Sequence, residues 1–147
     1  MKPKHTKQAV ELLNHILEME LAGAIHYTHY SFMVYGYNRI PIVQWLGEQA
    51  TESMAHAKAA GELVTQLGAH PSLGIGPLLE THKHDIDSIL KESLEAEQEA
   101  LELYKSLLTQ VEDKHLALEE YARSMIVAEE EHAAEVEKML RKPAHTK

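Results

Sequence analysis

Glu20, His56, Glu97, Glu129 and His132 are charged or titratable side chains standing in otherwise apolar helical stripes. Alternating steps of three and four residues trace the buried seam of a bundle helix. Around Glu20 that walk gives Leu13, Leu17, Ala24 and Tyr27, and around Glu97 it gives Leu90, Ser93, Ala100 and Tyr104. A third walk runs through Leu118, Ala122, Met125, Glu129, His132 and Val136, and a fourth through Leu46, Gln49, Ser53, His56, Ala60 and Leu63. One buried Glu or His is commonly tied down by hydrogen bonds. Five in one core are a different matter, because each bare charge moved into a low-dielectric interior costs several kcal/mol, and unpaired glutamates also repel one another. No Lys or Arg lies on any of the four seams, so the counter-charge has to be a bound cation. A donor set of carboxylates and imidazoles without sulfur suits iron or manganese, and zinc also fits. Glu129 and His132 lie three apart, project from the same side of a helix and can grip one ion together.

The elements that carry these residues are set by the chain breakers. Two long stretches almost free of Gly and Pro are interrupted at Tyr35-Gly36-Tyr37-Asn38-Arg39-Ile40-Pro41 and at Gly68-Ala69-His70-Pro71-Ser72-Leu73-Gly74-Ile75-Gly76-Pro77. A short polar turn at Glu112-Asp113-Lys114 and a stop at Pro143 complete the punctuation. The reading is four helices, at about 8–35, 41–67, 82–112 and 114–141, with a crossover at about 68–81. Short first and third links around one long connection predict an all-α, antiparallel four-helix bundle of the one-crossover type. The 147 residues are expected to form a single domain, 1–147.

Composition narrows the function. The apolar share of 44% comes chiefly from Leu, Ala, Ile, Val and Met, with one Phe and one Trp, which is helix chemistry. A net charge of -9 without any basic block argues against nucleic acid as a partner, whereas an acidic surface attracts cations. The absence of cysteine removes disulfides, iron–sulfur clusters and thiolate zinc sites. Neither a signal-peptide core nor a run of 18 apolar residues occurs, so a cytoplasmic location and no membrane are expected.

With those residues in view, the chain resembles the ferritin-like superfamily, and bacterioferritin most. The likeness is carried by Leu13-Asn14, Glu20-Leu21 and Tyr27 near the start, Met54-Ala55-His56-Ala57 in the second helix, Glu97 in the third, and Glu129-Glu130-Glu131-His132 in the fourth. In that family two irons are held by one Glu from each of two helices and a Glu-x-x-His pair from each of the others. Carried over, the resemblance makes Glu20 and Glu97 terminal carboxylates, His56 and His132 terminal imidazoles, and Glu129 a bridge. It implies a ferroxidase that binds two Fe(II) and oxidises them with dioxygen or hydrogen peroxide, for iron storage or detoxification.

The sequence departs from that pattern in the second helix. The residue three before His56 is Ser53, and the nearest carboxylate is Glu52, one place away. Glu52 is expected as the sixth metal ligand, turned inward by a one-residue π-bulge. Met54 falls where bacterioferritin carries the methionine that ligates haem b between subunits. Tyr27 and Tyr104 lie on the seams near the glutamates, each able to hydrogen-bond a ligand or give an electron beside an ordinary role in core packing, and Tyr27 is the candidate catalytic residue. A homo-oligomer, a dimer at least, is implied. The short, charged segment after His132 has no place for the fifth helix of cage-forming ferritins, so dimer and 24-subunit shell both stay open. The alternative reading is a non-cage helical dimer with a degenerate metal site, acting as a haem- or metal-binding module.

The other histidines carry less. His5 and His145 sit in basic tails and read as solvated, and His82 and His84 flank Lys83 with surface metal binding as the most they suggest. His26 and His29 straddle Tyr27 and read as solvated or interface residues, with an entry path as the sharper option.

Overall fold

The computed structural model describes residues 1–143, so His145 lies outside the described residues. Four helices follow one another: α1 (Pro3–Met33), α2 (Arg39–Gln66), α3 (Ile86–Val111) and α4 (Leu116–Leu140), with no strand among the described residues. The chain is an all-α four-helix bundle.

The helix ends follow local chemistry and correct two expected boundaries. α1 begins at Pro3 rather than near residue 8, since proline's missing N–H and fixed φ suit the first helical position. α3 begins at Ile86 rather than near 82, because the Asp85 carboxylate accepts the Ser88 N–H and caps the helix there, while His82 takes a positive φ of 59° that no helix accommodates. The Arg39 guanidinium donates to the carbonyls of Ser31 and Val34, closing the tight link between α1 and α2. α2 stops at Gly68, whose φ of 79° lets Ala69 N–H reach the Val64 carbonyl and Gly68 N–H that of Thr65. At the start of α4, His115 Nδ1 accepts the Leu118 N–H.

Side-chain pairs give the register. Tyr104 meets Glu20, Tyr27 meets Glu97 and Tyr30 meets Glu92, so α1 and α3 run in opposite directions; the short links after α1 and α3 turn the chain back so that α2 and α4 run antiparallel to them, with His56 beside Glu20 and His132 beside Glu97. α2 and α3 are then parallel, and the segment between them has to travel the length of the bundle. It does so along α1: Ser72 binds Asn14 and Glu18, Gly76 N–H donates to the Glu18 carbonyl at 2.9 Å, and Leu79 N–H donates to His26. Gly76 is needed for that approach, since a Cβ there would come within 3.1 Å of the same Glu18 oxygen.

The apolar interior falls into two clusters. One, at the end of the bundle where α1 begins, contains Ala9, Leu13, Ile16, Val64, Leu107, Val111 and Leu118. The other, at the opposite end, contains Tyr27, Tyr30, Val34, Leu46 and Ile89. Glu20 and Glu129, both buried, lie between them. No helix among the described residues is long and apolar enough to cross a membrane.

Candidate metal centre

Each helix contributes at least one donor to the layer between the two apolar clusters. The ligand atoms of Glu20, His56 and Glu129 all lie within 4.8 Å of one another, and so do those of Glu97, Glu129 and His132. Glu129, with 4% of its surface exposed, belongs to both groups. His56 Nδ1 is 3.6 Å from Glu20 Oε2 and 3.5 Å from Glu129 Oε1, and His132 Nδ1 is 3.1 Å from Glu97 Oε2.

Two tyrosines steer the terminal carboxylates. The Tyr27 hydroxyl donates to Glu97 Oε1 at 2.6 Å, and the Tyr104 hydroxyl donates to Glu20 Oε1 at 3.1 Å. Each bond occupies the oxygen turned away from the histidine, leaving Oε2 to face the site. Trp45, which the sequence did not flag, stacks on the His132 ring with centroids 5.9 Å apart and meets Tyr27 edge-on. Its one signal was position, since Trp45 is the neighbour of core residue Leu46 and the chain has no other tryptophan.

Burial and mutual contact set the electrostatics of this layer. Burial, then contact with Glu97, pushes the Glu129 carboxyl far up, and burial also raises Glu20. Burial pushes Glu97 up too, but the His132 imidazole and the Glu129 carboxyl outweigh it and hold Glu97 well below the usual carboxylate range. The two carboxyls therefore titrate as a pair, with Glu129 the one pushed up and Glu97 the one held down. Burial pulls both imidazoles down, yet Glu20 raises His56 and Glu97 raises His132 by more.

The donors fit bound metal on two observations. Glu129 Oε2 and His132 Nε2 are buried without a hydrogen-bond partner, a cost that a coordinated ion removes. Three carboxylates and two imidazoles form the nitrogen and oxygen set that iron accepts.

Glu52 is a correction. α2 remains a regular α-helix through this region, with no π-bulge, so Glu52 points outward with 51% of its side chain exposed and belongs to neither buried group. Its Oε1 is 3.7 Å from His56 Nε2, behind the imidazole as seen from the site. Ser53 takes the inward position instead, and with Glu20, Tyr27, Ser93 and Glu97 it lines a cavity of ≈ 300 Å³. Met54 lies away from the donors on the outer face of α1 and α2, in a groove with Ile25, Phe32 and Ala50. His26 lines the cavity mouth, whereas His29 stands at the surface.

Residues 10–144 match the family described as Ferritin-like domain. No curated protein matches the chain. Among solved structures, a ferritin-like, diiron-carboxylate protein from Bacillus anthracis aligns with a TM-score of 0.88 at 22% identity, over 96% of this chain and 100% of that one. A Rhodobacter capsulatus bacterioferritin with a metal-free dinuclear site and a heme iron aligns at 0.84 and 23% identity, over 91% and 84% of the two chains. A point mutant of Mycobacterium smegmatis Dps1 aligns at 0.82 and 16% identity, over 96% and 100%. At these identities the likeness to each is one of fold. The family match spans nearly all of the sequence, and the chain belongs to the ferritin-like domain family.

Proposed function

We propose that this chain is a ferroxidase: Glu20 and His56 hold one Fe(II), Glu97 and His132 hold a second, and Glu129 is shared between them. The observation that carries this reading is the membership of Glu129 in both buried donor groups. The two Fe(II) ions are substrate, each giving up one electron. Dioxygen or hydrogen peroxide is the acceptor: with both electrons and two protons, dioxygen leaves as hydrogen peroxide and hydrogen peroxide leaves as two waters.

The chain's own residues prepare the site. Glu129 and the two imidazoles release protons as the cations enter, so loading is proton-coupled. Tyr27 and Tyr104 keep the terminal carboxylates aimed, and the Trp45 ring restrains His132. The cavity beside Ser53 gives a small oxidant room next to the donors. The domain acts as one unit, in the cytoplasm, as a homo-oligomer, and iron storage or detoxification is its use.

A second reading, a helical dimer that binds haem through Met54 and keeps an incomplete metal site, is favoured by two features. Ser53 holds the place of a sixth ligand, and Met54 is 38% exposed on an apolar outer groove. Haem b there would show a Soret band that Met54→Leu removes.

Anaerobic Fe(II) loading followed by air separates the two. About two irons per chain with rapid growth of an oxo-ferric ultraviolet band supports the ferroxidase. One iron or none, without fast oxidation, overturns it.

A further inference from the structure

The crossover brings a second donor set to the surface of the bundle. His29 comes from α1, whereas Glu80 and His84 come from the segment that climbs along it, so only the tertiary path puts them together. Their ligand atoms all lie within 4.8 Å of one another. Glu80 Oε2 is 2.5 Å from His29 Nε2, and Glu80 Oε1 is 3.1 Å from His84 Nε2.

Neither flank of this group is free to drift. His82 N–H donates to Glu80 Oε1 at 2.6 Å, and His82 adopts its positive φ of 59° in doing so, a conformation that non-glycine residues rarely take. One residue before Glu80, Leu79 N–H donates to His26. The carboxylate is therefore aimed by the backbone on one side while an imidazole faces each of its oxygens. A third ring, His82, stands 6.4 Å from that of His84.

Each imidazole can give one N–H to one oxygen of this carboxylate, and the same three side chains converge from two separate elements on one point of the surface. Two imidazoles and one carboxylate are also a ligand set for a borderline divalent ion, with water completing the shell at a half-exposed position. Donor atoms bound to one tetrahedral ion are separated by roughly 3.3 Å; the 3.1 Å between Glu80 and His84 matches that spacing, and the 2.5 Å between Glu80 and His29 has to open by about 0.8 Å to admit an ion.

We propose that His29, Glu80 and His84 form a second metal site, for a single divalent transition ion such as Zn(II), which clips the crossover to α1. Leu79 and Thr81, on either side of Glu80, line the cavity that reaches Glu20 and Glu97, so the clip fastens one wall of that cavity. The proposal is independent of the interior centre.

Zn(II) alone is the probe, titrated calorimetrically into metal-free full-length protein. Wild type is expected to bind one more ion per chain than His84→Ala or His29→Ala, or to bind that ion at least about tenfold more tightly. Glu129→Gln, which disables the interior centre, should keep the ion that the histidine variants lose. Amide exchange over residues 79–84 should slow on Zn(II) addition in wild type and in Glu129→Gln but not in His84→Ala. Equal stoichiometry and affinity in wild type and both histidine variants would overturn the site, and exchange that Zn(II) leaves unchanged in wild type would overturn the clip.

Discussion

Glu129 Oε1 stands 3.5 Å from His56 Nδ1, although their helices, α4 and α2, nowhere bring Cα atoms within 8 Å of each other among the described residues. The gap between these two helices is spanned by side chains of the donor layer. A carboxylate from one helix and an imidazole from the other meet across it, with Glu20 as their common neighbour.

Because Glu129 is shared, Glu129→Gln should lower iron from about two per chain to below one, measured by elemental analysis after anaerobic loading. The metal-free protein should be little affected. Burial and the nearby Glu97 push the Glu129 carboxyl up toward its neutral form, which an amide matches in shape and charge, so unfolding free energy should change by no more than about 1 kcal/mol in urea. Two irons retained in the variant would remove Glu129 from its role.

The metal-free bundle should lose stability as pH rises. Glu20, Glu129, His56 and His132 all titrate higher in the folded chain than their ordinary values, so the folded state binds extra protons and that contribution disappears as pH climbs through the folded values. For Glu129 the window runs from its ordinary 4.5 up to about 11, and for the histidines it opens near 6.5. Glu97, lowered to about 2, acts oppositely, and its contribution is lost only as pH falls below 4.5. The Tm of metal-free protein should therefore fall between about pH 6 and about pH 9, and Zn(II) or iron should reverse that slope by displacing the protons. Scanning calorimetry with and without metal is the check; parallel slopes would contradict the proton-for-metal exchange.

Tyr27→Phe removes the hydroxyl that donates to Glu97 and leaves a largely buried carboxylate oxygen bare. The metal-free protein should lose about 2 kcal/mol, read by denaturant unfolding, and Fe(II) oxidation should slow while iron stoichiometry is kept. An unchanged midpoint would mean that the bond contributes nothing.

Ser53 and Glu52 make opposite predictions. Ser53→Glu puts a carboxylate at the inward position beside a cavity able to take it; it should tighten Fe(II) binding by about tenfold and destabilise the metal-free chain by roughly 2 kcal/mol through one more buried acid. Glu52→Ala should retain the iron stoichiometry, because Glu52 is half-exposed and its 3.7 Å approach to His56 is too long for a hydrogen bond. Loss of an iron on Glu52→Ala would restore Glu52 as a ligand.

The sequence by itself determined the helices and the polar layer. The three-and-four spacing that buries Leu13, Leu17 and Ala24 also buries Glu20, and helical periodicity dictates this whatever the partner helix. It likewise set Glu129 and His132 on one side of α4, and the Gly- and Pro-rich stretch between α2 and α3 marked the crossover. Only the tertiary structure decided between Glu52 and Ser53. They differ by one step of about 100° around α2, and the regular helix aims Ser53 at the layer and Glu52 at solvent, with no local signal able to say whether a bulge would intervene. Trp45 against His132, and His29 with Glu80 and His84, were equally out of reach. Their partners are far apart along the chain, and the path of the crossover over α1 is fixed by packing and backbone hydrogen bonds that no spacing rule contains.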